Sequence, residues 1–266
     1  MSEEVAADAL DDFELDEAGS KPVYRLGTGP AVLVISEIPG ITPQVADFAR
    51  RVAHEGFTVA MPVLFGTPGK PMTNGYAMSS MMRACVSKEF VCLAKSKRSP
   101  VTDWLIGLAK QLHHECGGPG VGVIGMCLTG GFALAMMIDP VVVAPVLSQP
   151  SLPLPLGSAR RRDLGIGEDD LRIVKERVEA GCSVLGLRFS EDPVAPADRF
   201  ERLRAELGDG FMAVEIDSSK GNPHGFAKTA HSVVTLEYRD EPDHPTLAAH
   251  QQVIEHFRAR LGSGLR

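Results

Sequence analysis

The chain has 266 residues, of which 44% are hydrophobic and 23% charged, proportions that argue against disordered and fibrous classes. Its 27 Lys and Arg and 34 Asp and Glu give a net charge of −7, which argues against nucleic acid or an anionic membrane as a partner. The five cysteines are odd in number and form no CxxC pair, so neither a disulfide framework nor a thiolate metal site is indicated. We therefore expect a cytoplasmic protein without metal or cofactor, as a monomer or small homo-oligomer.

Two segments of the chain have an unusual composition. Residues 1–20 contain eight acidic residues and no Lys or Arg, which predicts a disordered acidic tail before a single domain over residues 21–266. The uncharged stretch 117–138 is long enough to span a membrane, but it contains seven glycines and Pro119. These residues predict a loop, strand, turn and helix instead.

Strand and helix patterns alternate along the chain. Short apolar runs predict strands at 31–35, 57–61, 121–124, 141–147, 183–187 and 211–216. Helical spacing predicts helices at about 45–52, 101–116, 132–138, 169–179, 196–207 and 246–261. This alternation predicts an α/β fold with a mostly parallel sheet and helices on both faces. Segments 63–100 and 149–166 interrupt the pattern and are predicted to form walls of an active site.

Residues 125–131, Gly-Met-Cys-Leu-Thr-Gly-Gly, place Cys127 between a predicted strand and a predicted helix. A nucleophile on such a turn has a strained backbone that requires small neighbours, which Gly125 and Gly130 provide. The helix that follows directs free N–H groups towards the sulfur and favours the thiolate. Cys127 is therefore a candidate nucleophile.

Catalytic groups of an open parallel sheet collect at the carboxyl ends of its strands. Asp192 and His224 each follow a predicted strand, and the order cysteine, acid, histidine is that of α/β-hydrolases. His224 would hold the thiolate as an ion pair and return a proton to the leaving group. Asp192 would fix the tautomer of the imidazole.

Competing assignments follow from the same residues. Glu191 competes with Asp192, and His231 competes with His224. A serine-type esterase using Thr129 or Ser148 would leave Cys127 inert, although neither hydroxyl occupies the turn. A non-catalytic or redox-sensing module would use Cys127 as an oxidisable thiolate, and would need a resolving partner.

Four motifs resemble those of the dienelactone hydrolases. They are Glu-Ile-Pro-Gly at 37–40, the cysteine motif at 125–131, Asp-Pro-Val-Ala-Pro at 192–196 and His-Gly-Phe-Ala-Lys at 224–228. The resemblance covers residues 23–262 and implies an α/β-hydrolase fold. It also implies hydrolysis of a small ester or lactone, with no role for a membrane.

The resemblance assigns further roles. Glu37 matches the family glutamate that takes the thiol proton when substrate displaces it from a basic partner, and Lys228 matches that partner. The backbone N–H groups of Ile38 and Leu128 match the oxyanion hole. Arg83 is the nearest candidate for an arginine that contacts a substrate carboxylate.

One position departs from the family pattern. Lysine stands at residue 228 where the family has arginine, and an ammonium group cannot fork onto a carboxylate. The resemblance to enzymes that act on acidic dienelactones is therefore weaker at this substrate-binding position than at the nucleophile motif. The sequence does not identify the substrate.

Overall fold

The computed structural model describes residues 9–19, 21–86, 99–152 and 157–262, without the side chains of residues 74, 81 and 83–86. Within this part of the chain, eight strands form one sheet in the order β1-β2-β4-β3-β5-β6-β7-β8. The strands are β1 (Glu14–Ala18), β2 (Lys21–Leu26), β3 (Ala31–Ile35), β4 (Thr58–Pro62), β5 (Val121–Met126), β6 (Val142–Ser148), β7 (Val184–Phe189) and β8 (Phe211–Ile216). β3 to β8 are parallel, whereas β1 and β2 pair antiparallel at one edge. The predicted, mostly parallel sheet is confirmed.

Helices cover this sheet on both faces. In the described residues they are α1 (Pro43–His54), α2 (Asn74–Val86), α3 (Pro100–Cys116), α4 (Gly130–Met136), α5 (Ser158–Arg162), α6 (Glu168–Glu179), α7 (Ala197–Leu207) and α8 (Pro245–Leu261). All six predicted helices are present. The two that the sequence did not predict, α2 and α5, lie in the segments that interrupted the alternation.

The core lies in two layers, one on each side of the sheet. Along β3, Leu33 and Ile35 pack into the layer beneath α3, α4, α6 and α7. Val32 and Val34 point the other way, into the layer beneath α1 and α8. This alternation explains why β3 is apolar throughout, since a central strand covered on both faces has no solvent side.

The predicted acidic tail is partly ordered. Residues 14–18 form β1, and Phe13 just before them is buried. Arg50 of α1 binds Asp12 and lies over the Phe13 ring, while Trp104 Nε1 donates to the carbonyl of Ala18 at 3.0 Å. An edge strand tolerates acidic residues because one of its faces is open to solvent, and composition alone therefore did not reveal it.

No helix in the described ranges is long and apolar enough to cross a membrane. The uncharged stretch 117–138 contains β5, a short 3₁₀ turn and α4, as its glycine pattern predicts. Five parallel neighbours, β3, β5, β6, β7 and β8, end at the same edge of the sheet. The loops that leave this edge carry the candidate site.

Candidate active site

Cys127 occupies a strained turn between β5 and α4. Its φ is +56°, a left-handed conformation that is unfavourable for a residue with a side chain. A Cβ on Gly125 would lie 2.2 Å from the Thr129 carbonyl oxygen, and one on Gly130 would lie 2.8 Å from Pro150 Cβ. Both glycines are thus required by close approach. The predicted turn between strand and helix is therefore present at Cys127.

Thr129 anchors this turn to its neighbours. Its hydroxyl accepts a hydrogen bond from the Met126 amide at 2.8 Å and lies 2.9 Å from the carbonyl of Ile35 at the end of β3. Thr129 is fully buried, as is Ser148, whose hydroxyl donates to the Gln149 side chain. Both hydroxyls point into the fold, so the geometry gives a serine-type mechanism no nucleophile at either position.

Asp192 and His231 form the acid and histidine pair of the site. Nδ1 of His231 lies 2.6 Å from Oδ2 of Asp192, whose side chain is fully buried. The other carboxylate oxygen of Asp192 accepts from the amides of Val194 and Ala195 at 2.9 and 3.2 Å. Arg188 braces the same loop by donating to the Ser190 and Ala195 carbonyls. The acid is therefore fixed before any substrate binds.

The histidine beside Asp192 is thus not the predicted His224. His224 is exposed, and its ring lies 5.2 Å from His244 and 6.1 Å from Phe226. Both histidines follow β8 in one long connection, so their position after the strand could not separate them. The connection folds so that Ala230, Val233 and Val234 near His231 are buried, whereas His224 is exposed. No continuous apolar run marked this difference in the sequence, because Ser232 interrupts the apolar residues.

The charge state of His231 is linked to the cysteine. Burial lowers the pKa of His231. The negative charge of a Cys127 thiolate and the hydrogen bond with Asp192 raise this pKa by more than burial lowers it, so the pKa of His231 lies well above its ordinary range. Nε2 of His231 is buried and makes no hydrogen bond of ordinary geometry with the described residues. This nitrogen is the atom left to exchange a proton with the sulfur or with substrate.

Glu37 lies at the same edge but is held by neutral donors. Ser232 donates to Oε2 at 2.7 Å, Gln149 Nε2 donates to the same oxygen at 3.1 Å, and Thr235 donates to Oε1. The glutamate is buried, and it forms no ion pair with a Lys or Arg among the described residues. It joins the loops after β3, β6 and β8.

Lys228, predicted as the basic partner of Glu37, lies elsewhere. Its ammonium is 3.7 Å from Glu191 on the surface, and both side chains are substantially exposed. Counted from His231 instead of His224, the corresponding fourth position is Thr235, which does contact Glu37. A neutral hydroxyl thus stands where the family resemblance implied a basic group. Arg83 is part of α2, and its side chain lies outside the described residues.

The predicted oxyanion-hole residues lie beside the turn. Leu128 directly follows Cys127 in the 3₁₀ turn, and Ile38 lies in the loop after β3. The pairing of Ile35 with Gly125 brings this loop next to the cysteine turn. Their backbone N–H groups are thus carried on neighbouring segments, as an oxyanion hole requires.

Comparison with known proteins agrees with this architecture. Residues 21–260 match the model of the dienelactone hydrolase family. A Saccharomyces cerevisiae protein named "Putative carboxymethylenebutenolidase" is 24% identical over 200 residues, which is 70% of this chain and 66% of that protein. The chain thus spans just under two thirds of the curated relative it matches.

Two solved structures share the fold. "Putative Dienelactone Hydrolase" from Klebsiella pneumoniae is 19% identical with a TM-score of 0.62, covering 93% of this chain and 98% of that one. Dienelactone hydrolase from Anabaena variabilis is 15% identical with a TM-score of 0.56, covering 94% and 99%. At such identities the likeness shows the fold, which is that of the α/β-hydrolases, as predicted.

Proposed function

We propose that this chain, which belongs to the dienelactone hydrolase family, hydrolyses carboxylic esters or lactones with a Cys127–His231–Asp192 triad. The observation that carries the proposal is the 2.6 Å contact between Asp192 and His231, at the sheet edge where Cys127 occupies its strained turn. This arrangement supports roles for Cys127 as nucleophile, Asp192 as the group that orients the base and His231 as the base, in that order along the chain.

The residues support a two-step acyl transfer. The thiolate of Cys127 attacks the carbonyl carbon, and the oxyanion that forms accepts hydrogen bonds from the backbone amides of Leu128 and Ile38. Protonated His231 gives its proton to the departing alkoxide, leaving an acyl-cysteine thioester. Neutral His231 then takes a proton from water, which attacks the thioester and releases the acid. Asp192 accepts a hydrogen bond from Nδ1–H of His231 throughout, so the proton that His231 exchanges is the one on Nε2.

We propose that Glu37 positions loops and does not move to the sulfur. Three neutral donors satisfy its carboxylate, and each comes from a side chain on a neighbouring loop. To reach Cys127 the carboxylate would have to give up all three hydrogen bonds inside the protein, at a cost of about 1–3 kcal/mol for each group left unpaired. The imidazole of His231, whose pKa is raised, can accept the thiol proton without that movement.

The neutral surroundings of Glu37 favour a neutral substrate. The position that the family resemblance gives to a basic residue is occupied by Thr235 once His231 is taken as the histidine. Lys228 is paired with Glu191 away from this cluster. We therefore propose small neutral esters and lactones as the substrate class.

The redox-sensing alternative has less support. Among the cysteines whose side chains the structure describes, Cys116 ends α3 and Cys182 lies two residues before β7, so both lie before parallel strands, at the edge of the sheet opposite Cys127. Neither is placed to resolve an oxidised Cys127. Turnover of an ester separates an enzyme from a sensor.

Replacement of the nucleophile tests the proposal. Cys127→Ala should reduce hydrolysis of p-nitrophenyl acetate and of a neutral lactone by at least about a thousandfold, because no other side chain replaces the sulfur. Cys182→Ala is the matched control and should retain activity. Mass spectrometry of wild type quenched during turnover and then digested should detect an acyl adduct on the peptide containing Cys127. Near wild-type turnover by a folded Cys127→Ala would contradict the proposal.

A further inference from the structure

The segment 149–151, which follows β6, closes over the cysteine turn from the side opposite β3. The hydroxyl of Ser151 lies 3.1 Å from the sulfur of Cys127. The amide of Ser151 donates to the carbonyl of Cys127 at 2.9 Å. Ser151 is 4% exposed, so water does not compete freely for this hydroxyl. The sulfur therefore has a close partner that belongs to no part of the triad.

We infer that Ser151 is a further catalytic residue, whose hydroxyl donates a hydrogen bond to the Cys127 thiolate and so stabilises the attacking form of the nucleophile. The inference rests on the proposed function, since it assigns a role within the same site.

The chemistry of the contact favours this direction of donation. Between a neutral thiol and a hydroxyl either atom can donate, and such a bond is weak because sulfur is a poor donor and acceptor. A thiolate can only accept, and a hydrogen bond to a charged atom is roughly twice as strong as a neutral one. The Ser151 hydroxyl thus stabilises the thiolate more than the thiol, and it keeps its own proton.

Arg199 of α7 holds Ser151 in place from behind. Its guanidinium is 2% exposed and donates to the Pro150 carbonyl at 2.7 Å. It also donates to main-chain carbonyls of Asp163, Arg160 and Val194. Burial lowers the pKa of Arg199 to about 10, so the group stays charged at neutral pH. Arg199 is therefore a positioning residue for the loop.

The peptide between Pro150 and Ser151 is restrained at both ends. Its carbonyl accepts from Arg199, and its N–H donates to the carbonyl of Cys127. Pro150 also packs so closely against Gly130 that a Cβ there would overlap it. With the peptide fixed, the Cα–Cβ bond of Ser151 has a fixed direction, and the observed χ1 rotamer places the hydroxyl 3.1 Å from the sulfur.

The charges around the sulfur come from several elements. His231 from the loop after β8 and Arg199 from α7 both interact electrostatically with Cys127. Asp192 and Asp163 interact in turn with these two cations. Ser151 carries no charge, so its removal leaves this set unchanged and isolates the effect of one hydrogen bond.

The test measures the pH dependence of Cys127 alkylation by iodoacetamide, followed by mass spectrometry of the Cys127 peptide. In Ser151→Ala the midpoint should rise by about one pH unit, as expected for one lost hydrogen bond to a charged group. The alkylation rate should therefore fall about tenfold below the midpoint and match wild type at the alkaline plateau. An unchanged plateau also shows that the reagent reaches the sulfur as it does in wild type.

Ser183→Ala is the matched control, because Ser183 lies just before β7 at the opposite edge of the sheet and its hydroxyl binds Arg260. Its alkylation profile should superimpose on that of wild type. A superimposable profile for Ser151→Ala would overturn the inference. The profile is measured without substrate, so it reads the hydrogen bond even if ester hydrolysis proves independent of Cys127, and the two failures stay distinguishable.

Arg199→Lys tests the positioning role, since it keeps a cation but loses the fork that binds several carbonyls. Alone, it should shift the midpoint in the same direction as Ser151→Ala. Combined with Ser151→Ala it should add no further shift, because Arg199 acts through the lost hydroxyl. Additive shifts would show that Arg199 acts on the sulfur directly and would overturn its positioning role.

Discussion

At the scale of single residues, Glu37 has three neutral partners and no basic partner among the described residues. The family resemblance assigns Glu37 the role of a mobile base, and that role requires a basic partner from which substrate can displace the carboxylate. In the structure its oxygens bind Ser232, Gln149 and Thr235, all neutral. A carboxylate that accepts from three fixed donors is well suited to tie loops together and poorly suited to move.

Glu37→Gln tests this structural role. Because the amide removes the negative charge and one acceptor oxygen, the charge-assisted hydrogen bonds from the three donors weaken, and the free energy of unfolding should fall by about 1–3 kcal/mol. Alkylation of Cys127 in the free protein should stay within about twofold of wild type, since His231 supplies the base. Urea unfolding and alkylation rates measure the two effects.

Glu191→Gln serves as the matched control, because Glu191 is exposed and pairs with Lys228 at 3.7 Å. Glu191→Gln should change neither the free energy of unfolding nor the alkylation rate of Cys127. If Glu37→Gln instead left stability intact and reduced turnover a hundredfold or more, Glu37 would be the base and the fixed-carboxylate account would be wrong.

At the scale of secondary-structure elements, α8 carries two buried histidines that do not take part in the site. His250 packs against the rings of Phe48 and Tyr238, and His256 lies beside Phe257. Burial lowers the pKa of each to about 4, and a nearby arginine acts in the same direction, Arg51 for His250 and Arg260 for His256. Both imidazoles are therefore neutral in the fold at neutral pH.

These shifts make stability depend on pH with a definite sign. In the unfolded chain both histidines titrate near 6.5, so between about 6.5 and 4 the unfolded state binds more protons than the folded state. The stability is complete above about pH 6.5 and falls as the pH drops towards 4, by a few kcal/mol in total. This contribution to the loss of stability on acidification comes from one helix, α8.

The double variant His250→Gln with His256→Gln should flatten this dependence. Urea unfolding at neutral pH and at mildly acidic pH should give a smaller difference in unfolding free energy than in wild type, because glutamine does not titrate. His114→Gln, at an exposed position of α3, is the control and should keep the wild-type slope. An unchanged slope in the double variant would contradict the assignment to α8.

At the scale of the whole molecule, the alternating pattern was sufficient to predict the parallel sheet, six of the eight described helices and the edge of the sheet where Cys127 and Asp192 lie. The pattern works because a strand buried on both faces and an amphipathic helix have different periods. The two antiparallel edge strands escaped this reasoning. The carboxylates of β1 face solvent and resemble those of a disordered tail, and β2 buries only Val23, so it has no apolar run.

The sequence could predict which loops of the sheet edge carry the candidate site, but not every side chain that meets there. Cys127 could be recognised because its turn needs glycines at fixed positions, and Asp192 because it follows a strand directly. The choice between His224 and His231 depends on how a long connection folds back onto the sheet, which spacing does not encode. Ser151 had no sequence signal, because its contact with the sulfur depends on a peptide held by Arg199 from a distant helix.

The central claim is that His231, paired with Asp192, is the histidine that serves Cys127 in ester hydrolysis. The most direct test is kcat/KM for p-nitrophenyl acetate in His231→Ala and His224→Ala, with the fold of each checked by circular dichroism. We predict a loss of at least about a thousandfold for His231→Ala and less than about twofold for His224→Ala. A severe loss in His224→Ala together with an active His231→Ala would contradict the account.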